Sequence, residues 1–428
     1  MAKVNALVAL GGGPSPVINS SLQGVVERCM DYPGQIGRVF AAKHGIEGVL
    51  LEELVDMGQQ DPKEIALLQH TPASGSVGTC RYKLDDNCGD DFERIIEVFR
   101  AHDIGYIFYI GGNDSMDTAD KVSKLAEKEG YPLVVAGVPK TIDNDVGDEA
   151  FTIIDHTPGY ASAARYWTYI VQNTNEENKG MCVSERVAVL QAMGRKSGYI
   201  TAAARLADPN REIPLQLYFA EAGHNLETLA ENVSRELKRS GRCIVIVNEG
   251  FDVGEIGARR DGFGHVEYGA SAQTAAQAVV NHLNKVKLPV RGQVTGQVPG
   301  VLQRSTSIYR SCVDIQEAYE VGAHAVEVAI KDGTGYMATI LRAKGEPYRA
   351  VYEKVGLRAV ANSARFLPKE WITPDGIDVT DDFIRYAKPL IGEKWPEIPL
   401  EDGLQRFARL DLKTIDKKAR EYVPVKMR

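Results

Sequence analysis

An open α/β fold with a mostly parallel sheet is predicted by three features of the chain. Short apolar runs recur at Ala6–Leu10, Arg38–Ala42, Tyr106–Ile110, Leu133–Val138, Val187–Leu190 and Cys243–Asn248. Most are apolar at successive rather than alternate positions, the pattern of parallel strands covered on both faces. Helical periodicity fills the intervals between them.

The first run, Ala6–Leu10, is followed by a glycine-rich turn and a helical pattern from Val17. After Ile110, Met116, Ala119, Val122 and Ala126 fall on one helical face, while Lys121, Lys124 and Glu127 lie elsewhere. Gly130 then stops the helix before the next strand begins at Leu133. This is a strand-turn-helix-turn-strand unit, and it repeats in outline through the run at Cys243–Asn248. Residues 252–269 are rich in glycine and charge and read as a flexible surface loop. From about Leu367 onward the periodicity weakens into proline-containing turns, read as a C-terminal extension against the main body.

The chain has 428 residues, enough for two or three domains. A net charge of −8 argues against a nucleic-acid footprint but permits a local basic pocket for an anion. The six cysteines form no Cys-x-x-Cys pair and read as scattered reduced thiols, not as a disulfide framework or zinc site. No apolar stretch reaches the roughly 20 residues of a membrane helix. Ala6–Leu10 is too short for a secretory core, so a soluble cytoplasmic protein is expected.

The chemistry lies in the turns after the strands. Gly11-Gly12-Gly13-Pro14 lets backbone N–H groups approach an anion beside a helix N-terminus. It is neither Gly-x-Gly-x-x-Gly nor a Gly-Lys-Ser/Thr phosphate loop. A second turn, Gly111-Gly112-Asn113-Asp114-Ser115, opens the next helix, with Ser115 as its expected N-cap. The third, Pro139 to Asp145, holds a cation (Lys140), a hydroxyl (Thr141) and two carboxylates (Asp143 and Asp145). Taken singly, each is as easily an unliganded turn or a solvated charge. In an open sheet all three lie at carboxyl ends of strands, where ligands bind. Met193-Gly194-Arg195, Asn248-Glu249-Gly250 and Gln303-Arg304 follow later and add arginine forks for phosphate and a carboxylate for sugar hydroxyls.

With these motifs in this order, the sequence resembles the phosphofructokinase family from Ala6 to about Gly335. The resemblance implies two Rossmann-like three-layer domains with the active site in the cleft between them. It implies phosphoryl transfer to the 1-hydroxyl of fructose 6-phosphate, with Mg2+ as cofactor. Residues 1–155 plus about 304–360 would form the donor domain, about 156–303 the sugar-phosphate domain, and about 361–428 the extension. Asp143 matches the general base. Thr141, Met193, Gly194, Arg195, Glu249 and Arg304 match sugar-phosphate contacts, Arg304 at the 6-phosphate. Gly12, Gly13, Arg81 and Ser115 match the phosphoryl-donor side. Arg186 matches an arginine that reaches the 6-phosphate from a neighbouring subunit, which implies a homo-oligomer with shared sites.

Two positions choose the donor. ATP-using members have glycine at the positions of Asp114 and Lys140, whereas both residues here match the pyrophosphate-dependent branch. A carboxylate at Asp114 occupies the space of a nucleotide α-phosphate and repels it. Two like charges about 4 Å apart repel by about 1 kcal/mol in water and about 4 kcal/mol at an effective dielectric of 20. Asp114, Lys140, Asp143 and Arg195 are therefore the expected catalytic set. Asn113 and Asp114 are the expected metal ligands, Asn113 standing where the family usually has aspartate. Val301 replaces a histidine frequent in ATP-using relatives, which keeps sedoheptulose 7-phosphate open as the acceptor. An ATP-dependent kinase of the same fold and a non-catalytic sugar-phosphate sensor compete with the pyrophosphate enzyme.

Overall fold

The strands, in chain order, are β1 (Val4–Leu10), β2 (Ile36–Ala42), β3 (Leu54–Asp56), β4 (Ile104–Gly111), β5 (Val134–Pro139), β6 (Glu185–Ala192), β7 (Leu215–Tyr218), β8 (Cys243–Asn248), β9 (Gln293–Gln297), β10 (Tyr336–Arg342) and β11 (Ala350–Gly356). They come from a computed structural model that describes residues 3–84, 87–181, 183–254, 259–260, 264, 266–268, 271–361 and 363–428. Seven strands form one sheet in the order β11-β10-β5-β4-β1-β2-β3, and four form a second, β7-β8-β6-β9. The second sheet is parallel throughout. In the first, only the edge strands β3 and β11 run antiparallel to their neighbours.

Each expected strand coincides with the core of an observed one, and the reason is visible in the packing. On β1, Leu7 and Ala9 enter one core while Ala6, Val8 and Leu10 enter another on the opposite face. On β8, Ile244 and Ile246 divide from Cys243, Val245 and Val247 in the same way. Both faces being covered, both parities must be apolar. Of the unanticipated strands, β10 is buried but interrupted by Thr339, β9 and β11 are mostly exposed or half-buried edge strands, and the edge strands β7 and β3 are only four and three residues long. Such edges lack a continuous apolar run. The helix after β4 spans Asn113–Lys128 and is capped by Gly112, so Ser115 is not its N-cap. Its apolar stripe of Met116, Ala119, Val122 and Ala126 is buried as the periodicity requires.

Helix Cys312–Asp332 returns the chain to the first sheet by packing on helix Ile18–Met30. Their contact is close: a Cβ on Gly24 would collide with the Tyr319 carbonyl, and one on Gly322 with that of Ser21. The C-terminal residues then divide between the two sheets. Helix Asp381–Ile391 buries Phe383, Ala387 and Leu390 in the core containing Trp167 and Tyr160 of helix Tyr160–Met181. The last stretch turns back to the first sheet, where Lys418 and Ala419 donate backbone N–H groups to buried Glu52. Further on, Tyr422 Oη and the Val425 N–H donate to buried Asp91. Of the cysteines, Cys29, Cys80, Cys88 and Cys243 are buried free thiols and Cys312 is half-buried, while Cys182 lies outside the described residues. No helix among the described residues is long and apolar enough to cross a membrane.

Where the chain leaves the first sheet, His156 is buried between Asp155 Oδ2 at 2.9 Å and Glu317 Oε2 at 2.7 Å. Arg342 Nε holds the other Asp155 oxygen at 3.0 Å, and Tyr348 Oη donates to Glu317 Oε1. Burial by itself disfavours the imidazolium, but the Glu317 charge and the hydrogen bonds to both carboxylates outweigh it and hold His156 at about 9. The imidazole of an unfolded chain titrates near 6.5, so this contribution is complete below that pH and lost as pH rises through about 9. We expect the stability difference between the wild type and His156→Gln in urea unfolding to shift against the wild type by about 3 kcal/mol between pH 6 and pH 9.5. A difference between the two proteins that stays constant across that range would rule out a charged His156.

Candidate active site

Three phosphate-type turns leave the adjacent strands β1, β4 and β5 on one edge of the first sheet. The third is tied to the first by Lys140, whose buried Nζ donates to the carbonyls of Gly11 at 2.8 Å and Gly13 at 2.6 Å. Its backbone N–H is bonded to the Gly111 carbonyl of the second turn at 2.9 Å. Thr79 Oγ1 adds a bond to the Gly12 carbonyl from the side. The side chains converge closely on this turn: a Cβ on Gly13 would meet the Arg304 guanidinium.

Opposite stands the second sheet. Gly194 and Arg195 follow β6 and point their N–H groups at Glu249 Oε1, at 3.1 and 2.8 Å. Glu249 follows β8, the strand beside β6, so one carboxylate staples two neighbouring turns. Arg195 takes a left-handed φ of 53° and reaches Asp143, with Nε 3.8 Å from Oδ2. Gln303 Oε1 receives the Met193 N–H at 3.1 Å and Trp167 Nε1 at 2.8 Å, which anchors the Met193 turn to helix Tyr160–Met181.

These turns enclose a cavity of about 390 Å3. Gly12, Gly13, Arg81, Asn113, Asp114, Ser115, Lys140, Thr141, Asp143, Met193, Arg195, Glu249 and Arg304 all line it. Gly194 supports the wall through its bond to Glu249. Arg186 is not brought to this cavity. It lies near the start of β6, seven residues before Met193 and roughly 23 Å away along an extended strand, and donates to the carbonyls of Arg291 and Gly241. Arg304 leans toward Gly13 and the donor turns in this structure. Val266, Glu267 and Tyr268 also line the cavity, with Glu267 3.7 Å from Arg81. They belong to the stretch read as a surface loop, much of which lies outside the described residues. Nothing in its spacing distinguished a wall residue from a solvated one.

The electrostatics follow from crowding charges in a buried space. Lys140 is pulled down to about 7, first by burial and then by Arg304 and Arg81. Burial also lowers Arg304, with Arg81 adding to it. On the acidic side, burial and the Asp143 charge push Glu249 up to about 7 and Asp145 up to about 6. An anionic ligand on the Lys140 side relieves the cation repulsion, and a hydroxyl beside Asp143 meets a carboxylate in the cavity wall.

The residues fit a magnesium site of one kind only. Among the described residues no group of three or more His, Cys, Asp or Glu side chains is arranged to hold a metal by itself. Magnesium keeps several waters and uses one or two carboxylates plus substrate phosphates. Asp114, facing the cavity with Oδ1 3.7 Å from Lys83 Nζ, supplies one such carboxylate. The Asn113 amide is engaged at both ends, Oδ1 by the Asp114 N–H and Nδ2 by the Ser363 carbonyl.

A phosphofructokinase family model matches residues 5–329. The protein named pyrophosphate–fructose 6-phosphate 1-phosphotransferase from Methylococcus capsulatus is 40% identical, with 98% of each chain covered. The one of that name from Halomonas elongata is 39% identical over 99% of this chain and all of its own length. Among solved structures, the pyrophosphate-dependent phosphofructokinase of Marinobacter aquaeolei superposes with a TM-score of 0.86 at 38% identity, covering 99% of this chain and 100% of that one. On the convergence of these turns and a match over the full length, the chain belongs to the phosphofructokinase family.

Proposed function

We propose that this chain transfers a phosphoryl group reversibly from pyrophosphate to the 1-hydroxyl of fructose 6-phosphate, giving fructose 1,6-bisphosphate and phosphate. The observation that carries the donor assignment is the pairing of Asp114 with Lys140 on the donor side of one cavity, in a chain similar over its whole length to proteins named for pyrophosphate. The first-sheet unit serves the donor and the second-sheet unit the sugar phosphate. Pyrophosphate lies along the Gly12–Gly13 turn, held by Lys140, Arg81 and Ser115. Asp114 would hold magnesium beside the donor, where the ion would supply charge neutralisation. Asp143 takes the proton of the 1-hydroxyl as its oxygen bonds to phosphorus and the bond to the leaving phosphate breaks. Arg195 stabilises charge on the transferred group and fixes the carboxylate it faces. Thr141, Met193 and Glu249 hold the sugar, Gly194 supports Glu249 from behind, and Arg304 swings to the sugar's 6-phosphate. Arg186, remote from its own cavity, serves that of a second copy in a homo-oligomer.

The test is a panel of pyrophosphate and ATP against fructose 6-phosphate and sedoheptulose 7-phosphate, with Mg2+, in both directions. Product from pyrophosphate and fructose 6-phosphate is expected; turnover with ATP alone would overturn the donor assignment. The double variant Asp114→Gly with Lys140→Gly should lose pyrophosphate activity and gain some with ATP. Asp143→Asn should lower kcat by roughly 10²–10⁴ with an unchanged melting temperature. Near-normal turnover would remove Asp143 from the role of base.

Lys140 makes pyrophosphate binding proton-linked. In the free site it loses its proton near pH 7, and the ligand's negative charge restores it. Calorimetry at pH 8 in buffers of different ionisation enthalpy should show greater proton uptake for the wild type than for Lys140→Met, by close to one proton. Equal uptake would show that Lys140 does not titrate on binding.

A further inference from the structure

Residues 363–367 run behind the cavity and touch its loops from outside. The Ser363 carbonyl accepts from Asn113 Nδ2 at 2.6 Å, and Ser363 Oγ accepts from the Gly147 N–H at 3.2 Å. Leu367 donates its N–H to Glu221 Oε1, which also accepts from Gly198 beyond the Arg195 turn. Between them lies Arg365, completely buried and far beyond residue 329, where the family match ends.

Arg365 is aimed at one backbone turn. Its Nε donates to the Asn144 carbonyl at 3.1 Å, its Nη2 to Asn144 Oδ1 at 2.8 Å and its Nη1 to the Ile154 carbonyl at 2.7 Å. Its own N–H donates to the Asp145 carbonyl at 2.8 Å. Asn144 stands between Asp143 and Asp145 in a left-handed conformation with φ 57°. Asparagine is among the few side chains that enter this region, and then as a single residue whose polar group is locally bonded. If Asn144 relaxed to φ below zero, the two flanking carboxylates would be redirected, because a residue's φ sets the path of the chain on either side.

We propose that Arg365 is a positioning residue for phosphoryl transfer: its guanidinium locks the left-handed turn at Asn144 and so fixes the direction in which Asp143 meets the acceptor hydroxyl. The C-terminal stretch thereby completes an active site whose catalytic groups all come from the two α/β units. Lysine cannot replace the arginine, because one ammonium cannot span the Asn144 carbonyl and side-chain oxygens as the planar fork does. The proposal rests on the reading of Asp143 as the base.

The experiment is steady-state kinetics on Arg365→Lys, Asn144→Gly and Asn144→Ala, each with a melting curve, alongside Asp143→Asn. Arg365→Lys should keep KM for pyrophosphate and fructose 6-phosphate within about threefold and lose about 10- to 100-fold in kcat, the scale of a small misplacement of reacting groups. Glycine enters the left-handed region freely and alanine does not. Asn144→Gly should therefore exceed Asn144→Ala in kcat by about tenfold, at temperatures where both are folded. A folded Arg365→Lys enzyme with wild-type kcat overturns the proposal. If Arg365→Lys does not fold, the Asn144 pair decides, and equal kcat values overturn it. Impaired Asp143→Asn beside unimpaired Arg365→Lys removes the positioning role alone. The reverse removes the base assignment and leaves the turn serving another group.

Discussion

A buried ammonium holds the cavity together. Lys140 donates to carbonyls on either side of Gly12 while its backbone bonds the Gly111 turn, so turns from three adjacent strands become one surface. The same charge is crowded by Arg81 and Arg304, and burial leaves little water to screen them. Such a site concentrates positive charge that an anionic ligand neutralises. The acidic groups across the cavity answer the same constraint, with Glu249 raised by burial and by Asp143, yet used as a staple for the Gly194 and Arg195 amides. Position and charge are thus set together, which is what phosphoryl transfer asks of a protein that contributes little covalent chemistry.

The loops are held from behind as well as by one another. Gln303 anchors the Met193 turn to a helix through Trp167, and Glu221 joins the Gly198 backbone to Leu367. The chain beyond β11 bonds to both units, through helix Asp381–Ile391 on one side and the groups offered to Glu52 and Asp91 on the other. It bridges the two units that flank the cavity. Its low periodicity follows from that course, since a segment that crosses from one core to another never keeps one face buried for long.

Much of this was legible in the sequence. Strands buried on both faces favour apolar residues at successive positions, so β1, β2, β4, β5, β6 and β8 stood out, while the exposed edges β9 and β11, the short β7 and the Thr339-interrupted β10 did not. Turn motifs at strand ends were readable because glycine, lysine and carboxylate in a few residues have few structural uses. Ser115 was misplaced as a cap because the helix begins two residues earlier, at Asn113. Tyr268 and Glu267 were invisible, since a glycine-rich charged stretch reads the same whether it faces solvent or a ligand. Arg365 carried no local signal either: its partners, Asn144 and Ile154, lie more than two hundred residues away.

By itself the sequence determined the α/β class, the order of the turns and the family, and it singled out Asp114 and Lys140 as the pair to test for the choice of donor. All of these are written in local runs, where periodicity and residue chemistry act over a few positions. Only the tertiary structure decided that Arg304 leans toward the donor turns, that Arg186 lies at the far end of its strand, that the Asn113 amide is already committed, and that a buried arginine near the C-terminus holds the turn carrying Asp143. Those are matters of direction between distant segments, and direction is set by packing, which no local pattern encodes.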